Sequence, residues 1–196
     1  MVRSVLRDIF GEKAGKVLEI AGGYYTGYDV EGLVNMKALL GMAVAEERPE
    51  MFREVASGAA IPSLTLAILG FGGEASDTNP RAIETARRIA FELGVKLDLS
   101  VWDLYSRPFC SGDYVIADTP DTGYGPVDGM EKDIVRLAIE SGSHLALNPV
   151  HMDDFRGRLH DYSGALEKAG YEVCVKPLED LYGSQILIAR KPALSD

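Results

Sequence analysis

The apolar positions of the chain change period repeatedly, and the changes predict helices alternating with strands. From Pro80 onward, Ala82, Ile83, Ala86, Ile89, Ala90 and Leu93 recur at helical spacing, with Asn79 placed to cap, Pro80 suited to the first turn and Gly94 as the stop. Directly after it, Val95, Leu97, Leu99 and Val101 alternate with Lys96, Asp98 and Ser100, the two-residue period of a strand. The switch repeats downstream. Residues 113–117 (DYVIA) read as a buried strand, 130–141 as a helix ended by Gly142, and 144–150 as another strand. Residues 152–169 read as largely helical although Gly157 and Gly164 weaken an unbroken helix, Gly170 ends them, and 171–175 with 185–190 form a last strand pair around Gly183. Such alternation predicts a parallel sheet covered on both faces, with ligands at the carboxyl ends of its strands. The two last strands have no helix between them, so one should run antiparallel.

Upstream, residues 2–10 and 29–45 read as helices, the second capped by Asp29 with Glu31 in its first turn. Between them KVLEIAGGYYTGY fits either a short strand with a glycine loop or an irregular aromatic lid. The polar AEERPE around Pro49 divides an N-terminal helical cap, residues 1–48, from a main domain, residues 49–196. A chain of 196 residues with 46% hydrophobic and 26% charged residues supports one core plus a small appendage, and excludes disordered and collagen-like classes.

Charge narrows the partners. Thirty acidic against twenty basic residues leave −10, and no Lys/Arg run is longer than Arg87-Arg88, so sequence-independent nucleic-acid binding and an anionic membrane are disfavoured. Cys110 and Cys174 lack metal-site spacing and are expected to be buried apolar thiols in a reducing cytosol. The start MVRSVLRDIF has no signal-peptide pattern, and the uncharged stretch 55–73 is broken by glycines and Pro62, so it reads as a buried helix of a cytoplasmic protein with no membrane span. GEKAGKV has the wrong spacing and lacks the Ser/Thr of a phosphate loop, which removes nucleoside triphosphate hydrolysis.

The informative block runs from Glu54 to Pro120. Ala56, Ser57, Gly58, Ala59 and Ala60 are all small, as a loop must be where backbone approaches a ligand. Asp77 follows Gly58 at nearly the interval, about 20 residues, at which an acid meets a ribose in dinucleotide-binding units; a turn ahead of Asn79-Pro80 is the alternative reading. With EVASGAA, SDTNPRAIETAR, LSVWDL and GDYVIADTPD in this order, the sequence resembles the class I S-adenosylmethionine-dependent methyltransferases over about 140 residues from Glu54, as a divergent member.

That resemblance implies a seven-stranded, mostly parallel, doubly wound Rossmann-like α/β sheet with an antiparallel last strand. It implies S-adenosylmethionine as cofactor, held by Glu54, Ala56, Ser57, Gly58, Asp77, Thr78, Trp102, Asp103 and Asp118. Asp77 would accept from both ribose hydroxyls, Asp103 from the adenine amino group, and Trp102 would pack on the ring, against the alternative of a core tryptophan. The family has glycine where Ala56 and Ala60 stand. Amino-methylating members carry Asn/Asp-Pro-Pro-Tyr/Phe where this chain has Asp118-Thr119-Pro120-Asp121, so the stacking aromatic is missing and Tyr124 is its candidate substitute. Asp118, Pro120 and Tyr124 are the catalytic candidates, Asp118 to orient or deprotonate the acceptor or simply to close a strand-end turn. His151 is a further candidate base.

Tyr24, Tyr25 and Tyr28 are expected either to fold over the substrate side or to pack the cap onto the domain. The implied activity is methyl transfer to a small molecule or a protein side chain, by a chain that could form a homodimer. The alternatives are an inactive methyltransferase-like binding or assembly subunit, an RNA methyltransferase, and, more distantly, a nicotinamide-dependent oxidoreductase, which lacks its GxGxxG loop.

Overall fold

The computed structural model describes residues 5–119, 130–149, 155–178 and 184–192. Its elements follow the expected alternation: α1 (Leu6–Phe10), α2 (Ala14–Gly22), α3 (Val30–Ala45), β1 (Phe52–Val55), α4 (Ile61–Ile68), β2 (Gly73–Asp77), α5 (Pro80–Leu93), β3 (Asp98–Val101), β4 (Tyr114–Thr119), α6 (Met130–Ser141), β5 (His144–Pro149), α7 (Phe155–Lys168), β6 (Glu172–Pro177) and β7 (Gln185–Arg190).

The seven strands form one sheet in the order β3-β2-β1-β4-β5-β7-β6. Pairing is parallel from β3 to β5, and β7 runs antiparallel to both β5 and β6. The chain therefore reverses its direction of winding between β1 and β4, the place where an open α/β sheet leaves a crevice at its carboxyl edge.

Two-residue alternation assigns each strand's faces. Val115 and Ala117 of β4, Leu145 and Leu147 of β5, and Leu187 and Ala189 of β7 pack with Ile134, Val135 and Ala138 of α6 and Leu159 and Leu166 of α7. Their neighbours Ile116, Ala146, Ile186 and Ile188 face the other way, onto Met36, Leu40 and Val44 of α3. The helices α1 and α2 lie outside, sharing a cluster with Val34 and Ala38 of α3, Leu64 of α4 and Ile89 of α5. At Gly41 the helices α3 and α4 nearly touch: a Cβ there would stand 2.7 Å from the Pro62 carbonyl oxygen, so no larger residue fits without shifting the pair.

The local signals explain the boundaries. The Asp29 carboxylate accepts from the Gly32 N–H at 3.2 Å, and the Asn79 side chain accepts from the Arg81 N–H at 3.0 Å, each capping its helix. Gly94, Gly142 and Gly170 stand at φ 72°, 73° and 81°, the left-handed turn that ends a helix.

Four expectations are corrected. KVLEIAGG is neither strand nor lid: Ala14, Val17, Ile20 and Ala21 are buried at helical spacing and make α2. The strand expected from Val95 starts at Asp98, because Val95 and Leu97 pack instead against the cluster beneath the N-terminal helices. The helix expected over 152–169 is present as α7, which Gly157 and Gly164 do not interrupt. Cys110 and Cys174 are free but exposed rather than buried. The stretch 55–73, expected as one buried helix, is instead the end of β1, a loop, the short α4 and the start of β2, and no helix among the described residues is long and apolar enough to cross a membrane. The Gly183 turn lies outside the described residues.

Candidate functional site

The carboxyl ends of β1 to β4 meet at one edge. Val55 pairs with Ala117 and Asp77 with Val101, which sets the loop after β1, the Asp77 turn, the Trp102-Asp103 segment and Asp118 side by side.

The loop after β1 alternates between ordinary and left-handed backbone. Ala56, Gly58 and Ala60 have φ 51°, 54° and 53°. That conformation costs a residue with a Cβ about 1–2 kcal/mol, which is a physical reason for glycine at these positions and a strain that Ala56 and Ala60 carry. Four hydrogen bonds hold the loop. The Ser57 N–H donates to the Ser76 carbonyl at 2.9 Å, the Gly58 N–H to the Asp77 carboxylate at 2.8 Å, the Ala59 N–H to the Tyr25 hydroxyl at 3.1 Å, and the Ser63 N–H to the Glu54 carboxylate at 2.9 Å.

Asp77 is half-buried, and its other oxygen accepts from the Asn79 N–H at 2.8 Å. It therefore shapes the turn before α5 and ties that turn to the glycine of the first loop. Each of the two carboxylate oxygens thus accepts from one backbone N–H. Thr78 beside it is exposed.

Glu54 is fully buried, and its Oε1 has no hydrogen-bond partner among the described residues. Burial raises its pKa to about 8, against the lowering effects of Ser63 and the Lys37 charge. The carboxyl is thus mostly protonated at neutral pH and anchors the loop from beneath.

Trp102 is half-buried against the core, its indole N–H has no partner among the described residues, and the Arg107 guanidinium lies 5.9 Å from the ring centre. Asp103 is exposed and accepts from the Tyr105 N–H at 2.9 Å, capping a single 3₁₀ turn over residues 104–106.

Asp118 differs from its neighbours. It is 1% exposed, forms a buried ion pair with Lys37, and accepts from the Asn148 side-chain amide at 3.1 Å. Burial pulls the Lys37 ammonium down, but the charges of Asp118 and its neighbours outweigh this and hold its pKa above the usual value. The ammonium also lies 5.8 Å from the Tyr25 ring centre. Sequence reasoning missed Lys37, yet a signal was present: it is the single cation of α3 and shares a helical stripe with Val34, Gly41 and Val44. A lysine on an apolar stripe needs a buried partner, and Asp118 is that partner.

Tyr24 and Tyr25 sit on the loop, while Tyr28 is largely exposed. Pro120, Tyr124 and His151 lie outside the described residues. Among those described, no cluster of His, Cys, Asp or Glu is placed to hold a metal ion.

No protein-family profile matches the sequence, and no curated protein sequence matches it. Solved structures do. The ribosomal protein L11 methylase of Lactobacillus delbrueckii subsp. bulgaricus superposes with a TM-score of 0.61 at 15% identity, over 84% of this chain and 81% of that one. The chain has the class I methyltransferase fold. Its likeness extends to the magnesium protoporphyrin IX methyltransferase of Synechocystis PCC 6803, solved with bound SAM, at TM-score 0.60 and 15% identity over 95% of each chain. A Pyrococcus horikoshii protein provisionally assigned as an RNA methyltransferase matches at TM-score 0.64 and 13% identity over 99% of this chain and 100% of its own. The class I fold thus serves proteins named for different acceptors, and the edge described here is where that fold's strand ends gather.

Proposed function

We propose that this protein binds S-adenosylmethionine along the carboxyl edge of β1 to β4 and transfers a methyl group to a small molecule or a protein side chain. The observation that carries this reading is the 2.8 Å bond from the Gly58 N–H to the Asp77 carboxylate, which joins a left-handed glycine after β1 to an acid at the end of β2. The residues present fit the cofactor: the edge offers acids at the ends of β2 and β3, a tryptophan beside the second, and a side-chain-free Gly58. Two structures of similar fold, both of the Synechocystis enzyme, contain SAM or SAH.

When bound, the cofactor supplies a methyl group on a positively charged sulfur. Asp77, fixed by two backbone donors, would receive the ribose hydroxyls on its remaining lone pairs, and Asp103 and Trp102 would orient the adenine. Glu54 would act through the loop, since its buried carboxyl bonds the first turn of α4. Asp118 has both oxygens engaged, so its role is to orient the strand end that leads to Pro120 and Tyr124 rather than to take a proton. The charge of −10 favours a small or protein acceptor over RNA, and the two exposed free thiols fit a reducing cytosol.

A second reading, a methyltransferase-like binding subunit without catalysis, is favoured by the strain at Ala56 and Ala60 and by the tyrosines over Gly58. Titrating S-adenosylmethionine while following the fluorescence of Trp102, the chain's single tryptophan, separates the two. Saturable quenching that Asp103→Ala weakens about tenfold or more supports the cofactor site, on the scale of one lost charge-assisted hydrogen bond. A fluorescence that ignores the ligand in folded protein supports the second reading.

A further inference from the structure

Two tyrosines of the N-terminal segment stand where a ligand of the glycine loop has to lie. Gly58 has no side chain, and a Cβ built on it would meet the Tyr25 hydroxyl at 2.9 Å and the edge of the Tyr24 ring at 3.7 Å. The space that the missing side chain opens is thus taken up by this chain's own aromatic groups. Tyr25 is buried and is tied down by the Ala59 N–H. Tyr24 packs edge-on against it, ring centres 4.8 Å apart at 73°. Burial, and after it the negative charge of Asp77, raise the Tyr24 pKa to about 12. The pair therefore covers the bare backbone at Gly58, whose N–H is bonded to the Asp77 carboxylate.

The two tyrosines are held unequally. Tyr25 is enclosed, whereas Tyr24 is half-buried in a turn that has Gly22 and Gly23 before it and Gly27, at φ 89°, after it. Among the described residues no atom stands within 4 Å of a Cβ at Gly27, so the turn has glycine freedom on that side.

We propose that Tyr24 and Tyr25 form a gate on the cofactor site, shut in this conformation, and that an adenosyl ligand enters by displacing Tyr24 from the Gly58–Asp77 surface. The inference rests on the reading of Gly58 and Asp77 as cofactor residues. A shut gate lowers the apparent affinity by the fraction of molecules that are open, so removing its movable half should tighten binding.

The test is calorimetry of the full chain with S-adenosylhomocysteine, on wild type, Tyr24→Ala and Tyr24→Phe, together with backbone hydrogen exchange of wild type with and without ligand. Tyr24→Ala is expected to bind about tenfold more tightly, with Tyr24→Phe between the two because it keeps the ring and loses only the hydroxyl. Exchange over residues 22–28 is expected to speed up on saturation with ligand. Equal affinities with unchanged exchange overturn the gate and leave the cofactor reading standing; weaker binding by Tyr24→Ala overturns it in favour of a wall that touches the ligand. No binding by any of the three proteins overturns both the gate and the cofactor reading.

Discussion

Single residues around the first loop carry strain and charge that can be measured. Ala56→Gly removes a Cβ from left-handed backbone at the cost of a more flexible unfolded chain, and should stabilise the fold by about 0.5–1 kcal/mol in denaturant unfolding. Ala60→Gly should be close to neutral, since Ala60 is fully buried and loses packing as it loses strain. Gly58→Ala should lose about 1–2 kcal/mol from its φ of 54°, and more from the contact with the Tyr25 hydroxyl. Glu54 makes a prediction in pH. Its carboxyl pKa rises from an ordinary 4.5 to about 8, so the folded state holds a proton that the unfolded state releases. This contribution to stability is complete below pH 4.5 and falls as pH rises through 8, at up to about 1.4 kcal/mol per pH unit. Urea unfolding of Glu54→Gln against wild type should show this slope in wild type and its loss in the variant; parallel pH profiles would contradict the buried proton. The placement of the acids at the strand ends was legible in the sequence because spacing after a strand is a local property. The Gly58–Asp77 bond and the Lys37 pairing were not, since each depends on how separate segments meet.

At the scale of elements, the alternation of periods carried most of the fold. α5 begins and ends where Asn79 and Gly94 place it, and α6 ends at Gly142, since caps and stops act within a turn of their own residue. The reading failed where an apolar run had two uses. Both α2 and the residues before β3 offered strand-compatible apolar residues, and the packing of the N-terminal helices on α4 and α5 decided the matter. The joint of greatest consequence is α3 on the sheet. Lys37 reaches from α3 to Asp118 on β4, both nearly inaccessible. Breaking such a pair leaves one buried charge without compensation, which costs about 3–5 kcal/mol, while replacing both partners costs far less. Lys37→Met and Asp118→Asn should each lower stability by that amount, and the double variant should recover a large part of it, giving a coupling energy well above 1 kcal/mol in a double-mutant cycle. Additive losses would mean that the pair is not a unit.

In the whole molecule, an N-terminal segment covers one face of the sheet and reaches to its strand-end edge. Residues up to 48 supply Lys37, Tyr24, Tyr25 and the α3 face that covers Ile116, Ala146, Ile186 and Ile188. A chain of residues 49–196 alone should therefore lack a cooperative thermal transition and expose apolar surface to a hydrophobic dye, whereas a sharp transition would show that the sheet folds without its N-terminal cover. The central claim is that the carboxyl edge of β1 to β4 is a cofactor site with Asp77 at its centre. The most direct measurement is calorimetric titration of the full chain with S-adenosylmethionine and S-adenosylhomocysteine, beside Asp77→Ala and with NAD as a control ligand. The account predicts saturable one-site binding of both adenosyl ligands, none of NAD, and loss of binding in a folded Asp77→Ala protein. Binding that survives Asp77→Ala, or none by folded wild type, would contradict it.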